Sequence, residues 1–146
     1  DAALARVKAG VDCQNATHEG TVIAGNNRNL GLNDIVRKRG VATKGRIGKH
    51  IGANPDQITR RDFGPAAVVM TNQILIQQDD TDASLFGFQV PGDSGSIVIN
   101  AANEVVALMH GQVPGNVAVG QATSIGAILD RWPGLAIMPG GVRTAT

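Results

Sequence analysis

One stretch of the sequence carries residue types that could do chemistry: Phe88-Gln89-Val90-Pro91-Gly92-Asp93-Ser94-Gly95-Ser96, which runs straight into the apolar residues Ile97–Asn100. An Asp-Ser-Gly turn needs only one or two residues that tolerate unusual backbone angles. A nucleophilic serine needs more: a tight bend, backbone N–H groups turned toward the reacting carbonyl, and small neighbours that admit a substrate. It also needs a base. Three histidines are present, His18, His50 and His110. His18 falls in a polar linker and His50 in a basic strand. His110 ends an apolar strand and is the one expected near Ser94, as a pocket-wall side chain in preference to a base.

Two charged segments suggest other chemistry. Asp79-Asp80-Thr81-Asp82 opens an acidic loop that could hold a hard cation such as Ca²⁺. The loop lacks spaced ligands and a closing Glu, so a solvated surface loop is the expectation, with no metal and no cofactor. Arg37, Lys38, Arg39, Lys44, Arg46 and Lys49 crowd one hairpin, with Arg60 and Arg61 beyond it. Such a run resembles a nucleic-acid footprint. Aromatic residues for base stacking are nearly absent, and the formal net charge is only +1, so a solvated hairpin is expected and a nucleic-acid partner is not.

The elements that must position these residues are short strands. With 146 residues, 42% hydrophobic and 17% charged, the chain has the composition of one globular domain with a real core. Cys13 is the only cysteine, which excludes an intrachain disulfide and a cysteine metal cluster. No apolar run approaches the roughly 18 residues of a membrane span, so no membrane partner is expected. The single cysteine and the lack of an opening signal peptide weakly favour a cytoplasmic location. Because the chain opens on Asp and not Met, a processed or longer protein is expected. Val- and Ile-rich runs bounded by Gly, Asn, Asp or Pro predict strands over 2–7, 21–24, 34–38, 46–51, 57–59, 66–77, 95–100, 104–110 and 117–122. A tight turn at Ala102-Asn103 joins two of them. Residues 124–132 read as a short helix with Ser124 as N-cap and Pro133 as its stop. Residues 133–146 read as a loose tail. The pattern predicts an all-β antiparallel barrel or sandwich with one C-terminal helix.

Several motifs together resemble the chymotrypsin-like serine peptidases. Gly92-Asp93-Ser94-Gly95-Ser96 before an apolar strand is similar to their nucleophile loop. The opening Asp1-Ala2-Ala3-Leu4-Ala5-Arg6-Val7 resembles the segment where the triad aspartate precedes an Ala-Leu-rich strand. The Lys-x-Gly…Thr-x-Gly-x-Ile pattern within 35–52 resembles bacterial trypsin-like peptidases related to the plant narrow-leaf protein, as does the closing segment 122–130.

The resemblance implies the second of two barrels, a six-stranded antiparallel Greek key. It divides the chain into the last strand of an N-terminal barrel (1–8), a connector (9–30), the C-terminal barrel with its closing helix (31–132) and a tail (133–146). It implies peptide-bond hydrolysis through an acyl-enzyme, with a peptide or protein as substrate. Ser94 would be the nucleophile, and the N–H groups of Gly92 and Ser94 would form the oxyanion hole. Asp1 would orient the catalytic histidine, supplied by an N-terminal companion segment, so this chain alone should be inactive. Asp93 would be a buried carboxylate shaping the loop. Phe88, Met109, His110, Gly111 and Ala122 would line the pocket for the residue before the scissile bond, with Phe88 favouring apolar or small side chains. Other readings are a catalytically silent protein-interaction module of the same fold and a basic nucleic-acid-binding β domain.

Overall fold

The computed structural model describes residues 6–54, 58–60, 68–79 and 87–144. Asp1, Arg61 and the acidic loop from Asp80 through Asp82 lie outside these residues, and so does most of the strand expected over 2–7. Its described end, Arg6 and Val7, belongs to no strand.

Among the described residues, the elements in chain order are β1 (Asp12–Gln14), β2 (Gly25–Asn26), β3 (Ile35–Gly40), β4 (Lys44–Asn54), β5 (Ile58–Arg60), β6 (Val68–Met70), β7 (Gln73–Gln78), β8 (Ile97–Asn100), β9 (Glu104–Val113), β10 (Asn116–Ser124), α1 (Ile125–Arg131) and β11 (Val142–Thr144). Strands β3, β4 and β7 form one antiparallel meander, and β8, β9 and β10 form another. Pairing of β3 with β8 and of β10 with β7 joins the two into a closed, all-β, six-stranded antiparallel barrel. Closure removes the free edges that an open sheet would expose.

Alternation along the strands sets the two faces. In β3, Val36, Lys38 and Gly40 are buried while Ile35 and Arg37 are exposed. Strands β8 and β9 are apolar on both faces for two different reasons. Val98, Val106, Ala107 and Met109 join Val36, Ile74, Ile76, Phe88 and Ala122 in the barrel interior. Ile99 and Val105 face outward and are covered by Ile125, Ile128 and Leu129 of α1 and by Ile23 of the connector. The helix starts where expected: Ser124 Oγ accepts the Ala127 N–H at 3.0 Å.

Three local expectations change. The strand expected over 66–77 is broken into β6 and β7, where Asn72 between them has φ 54, a left-handed backbone that turns the chain out of the extended conformation. The expected strand over 21–24 is a lone bridge between Ala16 and Val22, with β2 pairing parallel to β9 just after it. The tail is not loose. β11 pairs antiparallel with β1, the Gly140 N–H donates to the Ile23 carbonyl at 2.7 Å, and Ile137 packs on the outer cluster.

Among the described residues, Phe88 is the bulkiest fully buried side chain, at 0% exposure. Glycines make room for it on two strands. A Cβ at position 48 would lie 2.6 Å from Phe88 Cε2, and one at position 120 would lie 2.9 Å from Phe88 Cδ1. Gly48→Ala should therefore destabilise the protein by about 1–3 kcal/mol through overpacking, read as a lower urea midpoint. Adding Phe88→Leu should recover part of that loss, and strictly additive effects would show that the clash is not with the ring.

Candidate active site

Two successive turns build the Ser94 loop. The Asp93 N–H donates to the Val90 carbonyl at 3.1 Å, and Gly92 at the third position has φ 102. With Pro91 at the second position, this is the type II pattern. The Ser96 N–H then donates to the Asp93 carbonyl at 3.0 Å, with Ser94 second and Gly95 third at φ 88. Ser96 Oγ caps the same carbonyl at 2.6 Å. A turn of this kind leaves the N–H groups of its two central residues outside its own hydrogen bond. Of these, Pro91 has none and Gly95 donates to the Met109 carbonyl at 2.8 Å. The N–H groups of Gly92 and Ser94 remain, without an acceptor among the described residues. Ser94 sits exposed at the second bend, its hydroxyl donating to the His110 carbonyl at 3.1 Å.

The loop hangs on Asp93, whose side chain is fully buried. Its Oδ2 accepts Lys38 Nζ at 2.8 Å and Thr43 Oγ1 at 2.6 Å. Its Oδ1 accepts the N–H groups of Ala42 and Thr43 at 2.9 and 3.2 Å. Lys38 Nζ also donates to Thr43 Oγ1 at 2.8 Å and stands 5.4 Å from the centre of the Phe88 ring, where the π face stabilises a desolvated cation. Gly40 completes the socket: a Cβ there would lie 2.0 Å from Asp93 Oδ1. The Lys-x-Gly…Thr pattern is thus a receptor for one carboxylate, built from the end of β3 and the turn that follows it.

Burial by itself would raise the Asp93 pKa. The hydrogen bonds from Lys38 and Thr43, with the Lys38 charge, outweigh it and hold the carboxyl down at about 2. Burial pushes Lys38 the other way, toward its neutral form, against the pull of Asp93. The direction on Asp93 governs the pair, because four donors converge on that carboxylate.

The other expected site residues are placed as follows. Phe88, Met109 and Ala122 are fully buried core residues, so Phe88 is not the exposed base of a pocket; its ring fills the barrel and faces Lys38. His110 is buried, and its Nε2 lies 2.7 Å from Gln73 Oε1, which also accepts Thr123 Oγ1 at 3.0 Å. It meets Ser94 through its carbonyl. Gly111, half-buried, follows it in β9 and pairs with Gln121 of β10. His18 is exposed, and both ring nitrogens of His50 face main-chain carbonyls, of Gly31 and Gly52.

The basic run divides. Arg37 and Arg39 are held by Asn103 and Glu19. Lys38 is not part of a solvated face, since it is only 4% exposed. Its burial was readable from alternation, because it shares the parity of Val36.

The pH dependence follows from the depressed pKa. An unfolded Asp93 binds a proton near pH 4 and the folded one only near pH 2, so its stabilisation is complete above pH 4 and disappears as pH falls through that window. The loss should amount to about 2 kcal/mol. Urea midpoints measured from pH 5 to pH 2 should show this component in the wild type and lack it in Asp93→Asn. Lys38→Met should cost about 3–5 kcal/mol at neutral pH by leaving the carboxylate buried without its cation.

No family model and no curated protein matches the sequence. Solved structures do match. A glutamic-acid-specific serine protease that uses a histidine triad in substrate binding aligns with TM-score 0.57 at 16% identity, over 83% of this chain and 57% of its own. The chymotrypsin of Cellulomonas bogoriensis aligns with TM-score 0.59 at 18% identity, over 82% and 56%. A protease of M. tuberculosis in its active form aligns with TM-score 0.52 at 16% identity, over 84% and 51%. The chain spans little more than half the length of these structures. Its barrel and closing helix have the fold of part of a chymotrypsin-like serine protease.

Proposed function

We propose that this chain is the nucleophile-bearing portion of a serine endopeptidase, with Ser94 attacking the scissile carbonyl. The observation that carries the reading is the pair of N–H groups on Gly92 and Ser94, both without an acceptor among the described residues and both flanking an exposed serine hydroxyl. Donors held in place before the reaction stabilise the charge that develops on a tetrahedral intermediate, each contributing a factor of roughly 10²–10³ in rate. The buried carboxylate of Asp93 keeps them held.

In the reaction, the Ser94 hydroxyl gives up its proton to a histidine Nε2 as its oxygen bonds to the peptide carbon. The C–N bond then breaks, the amine leaves with that proton, and water releases the acyl group by the reverse order of steps. The histidine belongs to a part of the protein preceding Asp1, and Asp1 accepts its Nδ1–H. The aligned proteases, of whose length the match covers only 51–57%, support such a part.

In the full-length protein, a fluorophosphonate probe should label Ser94 and no other serine. Ser94→Ala should keep the fold and lose the label. A full-length protein that is folded but unlabelled would instead be an interaction module with this architecture.

A further inference from the structure

A groove of about 400 Å³ opens on the outer face of β3 and β8, a size in the range of small-molecule sites. Ser94 is not among its walls.

Strand register builds its floor. Arg37 of β3 is the direct cross-strand partner of Ile99 of β8, so their side chains share a face. The strands are antiparallel, and Arg39 and Ile97, two residues further in the same direction, repeat the arrangement. A row of guanidinium groups thus runs beside a row of isoleucines. Ile97 is only half-buried there. The opposite wall is the connector turn from Thr17 to Thr21. That turn is closed by the Thr17 N–H on the Thr21 carbonyl at 2.8 Å and by the Thr21 N–H on Thr17 Oγ1 at 3.2 Å. Lys44 completes the lining.

Charge in the groove is not balanced. Glu19 of the connector turn is the one carboxylate of the lining, and Arg39 takes it. Lys38 is answered by Asp93. Arg37 donates to the neutral carboxamide of Asn103, and Lys44 Nζ to the Val41 carbonyl at 2.9 Å. Neither meets a carboxylate among the described residues.

The chemistry of the occupant follows from the two rows. The uncompensated cations call for an anion, which a guanidinium holds through charge-assisted hydrogen bonds. The isoleucine floor calls for an apolar body that takes it out of water. An extended peptide would find no main-chain partners here. β3 is paired on both sides, by β4 and β8, and β8 lies between β3 and β9, so neither offers a free strand edge.

We propose that this groove binds a small anionic amphiphile, an alkyl carboxylate of the fatty-acid type, with its head on Arg37 and Lys44 and its tail over Ile97. The site lies outside the Ser94 loop and does not rest on the reading of that serine.

Octanoate titrated calorimetrically into the full-length protein should bind saturably at one site. 1-Octanol, which lacks the charge, and butyrate, which lacks most of the tail, should each bind roughly tenfold or more weakly. Arg37→Gln, a change at an exposed side chain, should weaken octanoate by roughly tenfold, and Lys44→Gln should weaken it as well. Lys49→Gln removes an exposed cation of the same hairpin that does not line the groove, and should leave the affinity unchanged. Three results would overturn the assignment. One is a full-length protein that shows no saturable octanoate binding. Another is 1-octanol binding as tightly as octanoate. The third is equal weakening by Lys49→Gln and Arg37→Gln, which would mean a diffuse attraction to the hairpin. Tighter binding of an acetylated Glu-Leu-Glu-Leu peptide than of octanoate would overturn it in favour of a peptide-docking surface.

Discussion

A single buried carboxylate organises the Ser94 end of this barrel. Asp93 receives a lysine ammonium, a hydroxyl and two backbone N–H groups. Every one of those donors comes from the end of β3 or the turn after it. A charge taken out of water is tolerated only when its hydrogen bonds are met in full, and here they are. Because Asp93 immediately precedes Ser94, satisfying the carboxylate fixes the backbone of the serine. The electrostatics of the core and the geometry of the surface loop are one constraint.

The barrel makes that constraint possible by supplying a dry and rigid setting. Strands β8 and β9 are held from both sides, by the interior around Phe88 and by α1 on the outside. They anchor the loop's return, with Gly95 and Ser96 exchanging hydrogen bonds with Met109. Phe88 serves both ends of the arrangement, filling the interior and offering its face to Lys38. Glycines at positions 40, 48 and 120 mark where other groups need the space: a carboxylate at the first, an aromatic ring at the other two.

Much of this was legible in the residues. Val and Ile runs bounded by turn formers place most of the barrel strands, and Ser124 with Pro133 bounds the helix. Pro91-Gly92 and Ser94-Gly95 carry the turn chemistry in plain view. Lys38 was hidden among five other cations of its hairpin, and charge pattern drew it toward solvent although strand parity placed it inside. The two-sided burial of β8 and β9 is a tertiary effect of α1 that no local window contains. Phe88 shows the limit from the other side, since position near a motif does not tell a core ring from a pocket wall. The β1–β11 pairing joins segments more than a hundred residues apart, and neither has enough apolar alternation to announce itself.

The separation in sequence between Asp93 and its receptor has a kinetic meaning. The β3–β4 hairpin is local and closes over a short turn, while the Lys38–Asp93 contact spans 55 residues. Contacts of long range come late, since the entropy of closing the intervening loop must be overcome before they stabilise anything. Partly folded chains with the first meander formed would therefore carry a finished socket and an unseated aspartate. In them the serine would lie on an ordinary flexible loop, its neighbouring amides pointing in no fixed direction. Ordering of the Ser94 loop then becomes a late folding event, reached only when the second meander docks onto the first.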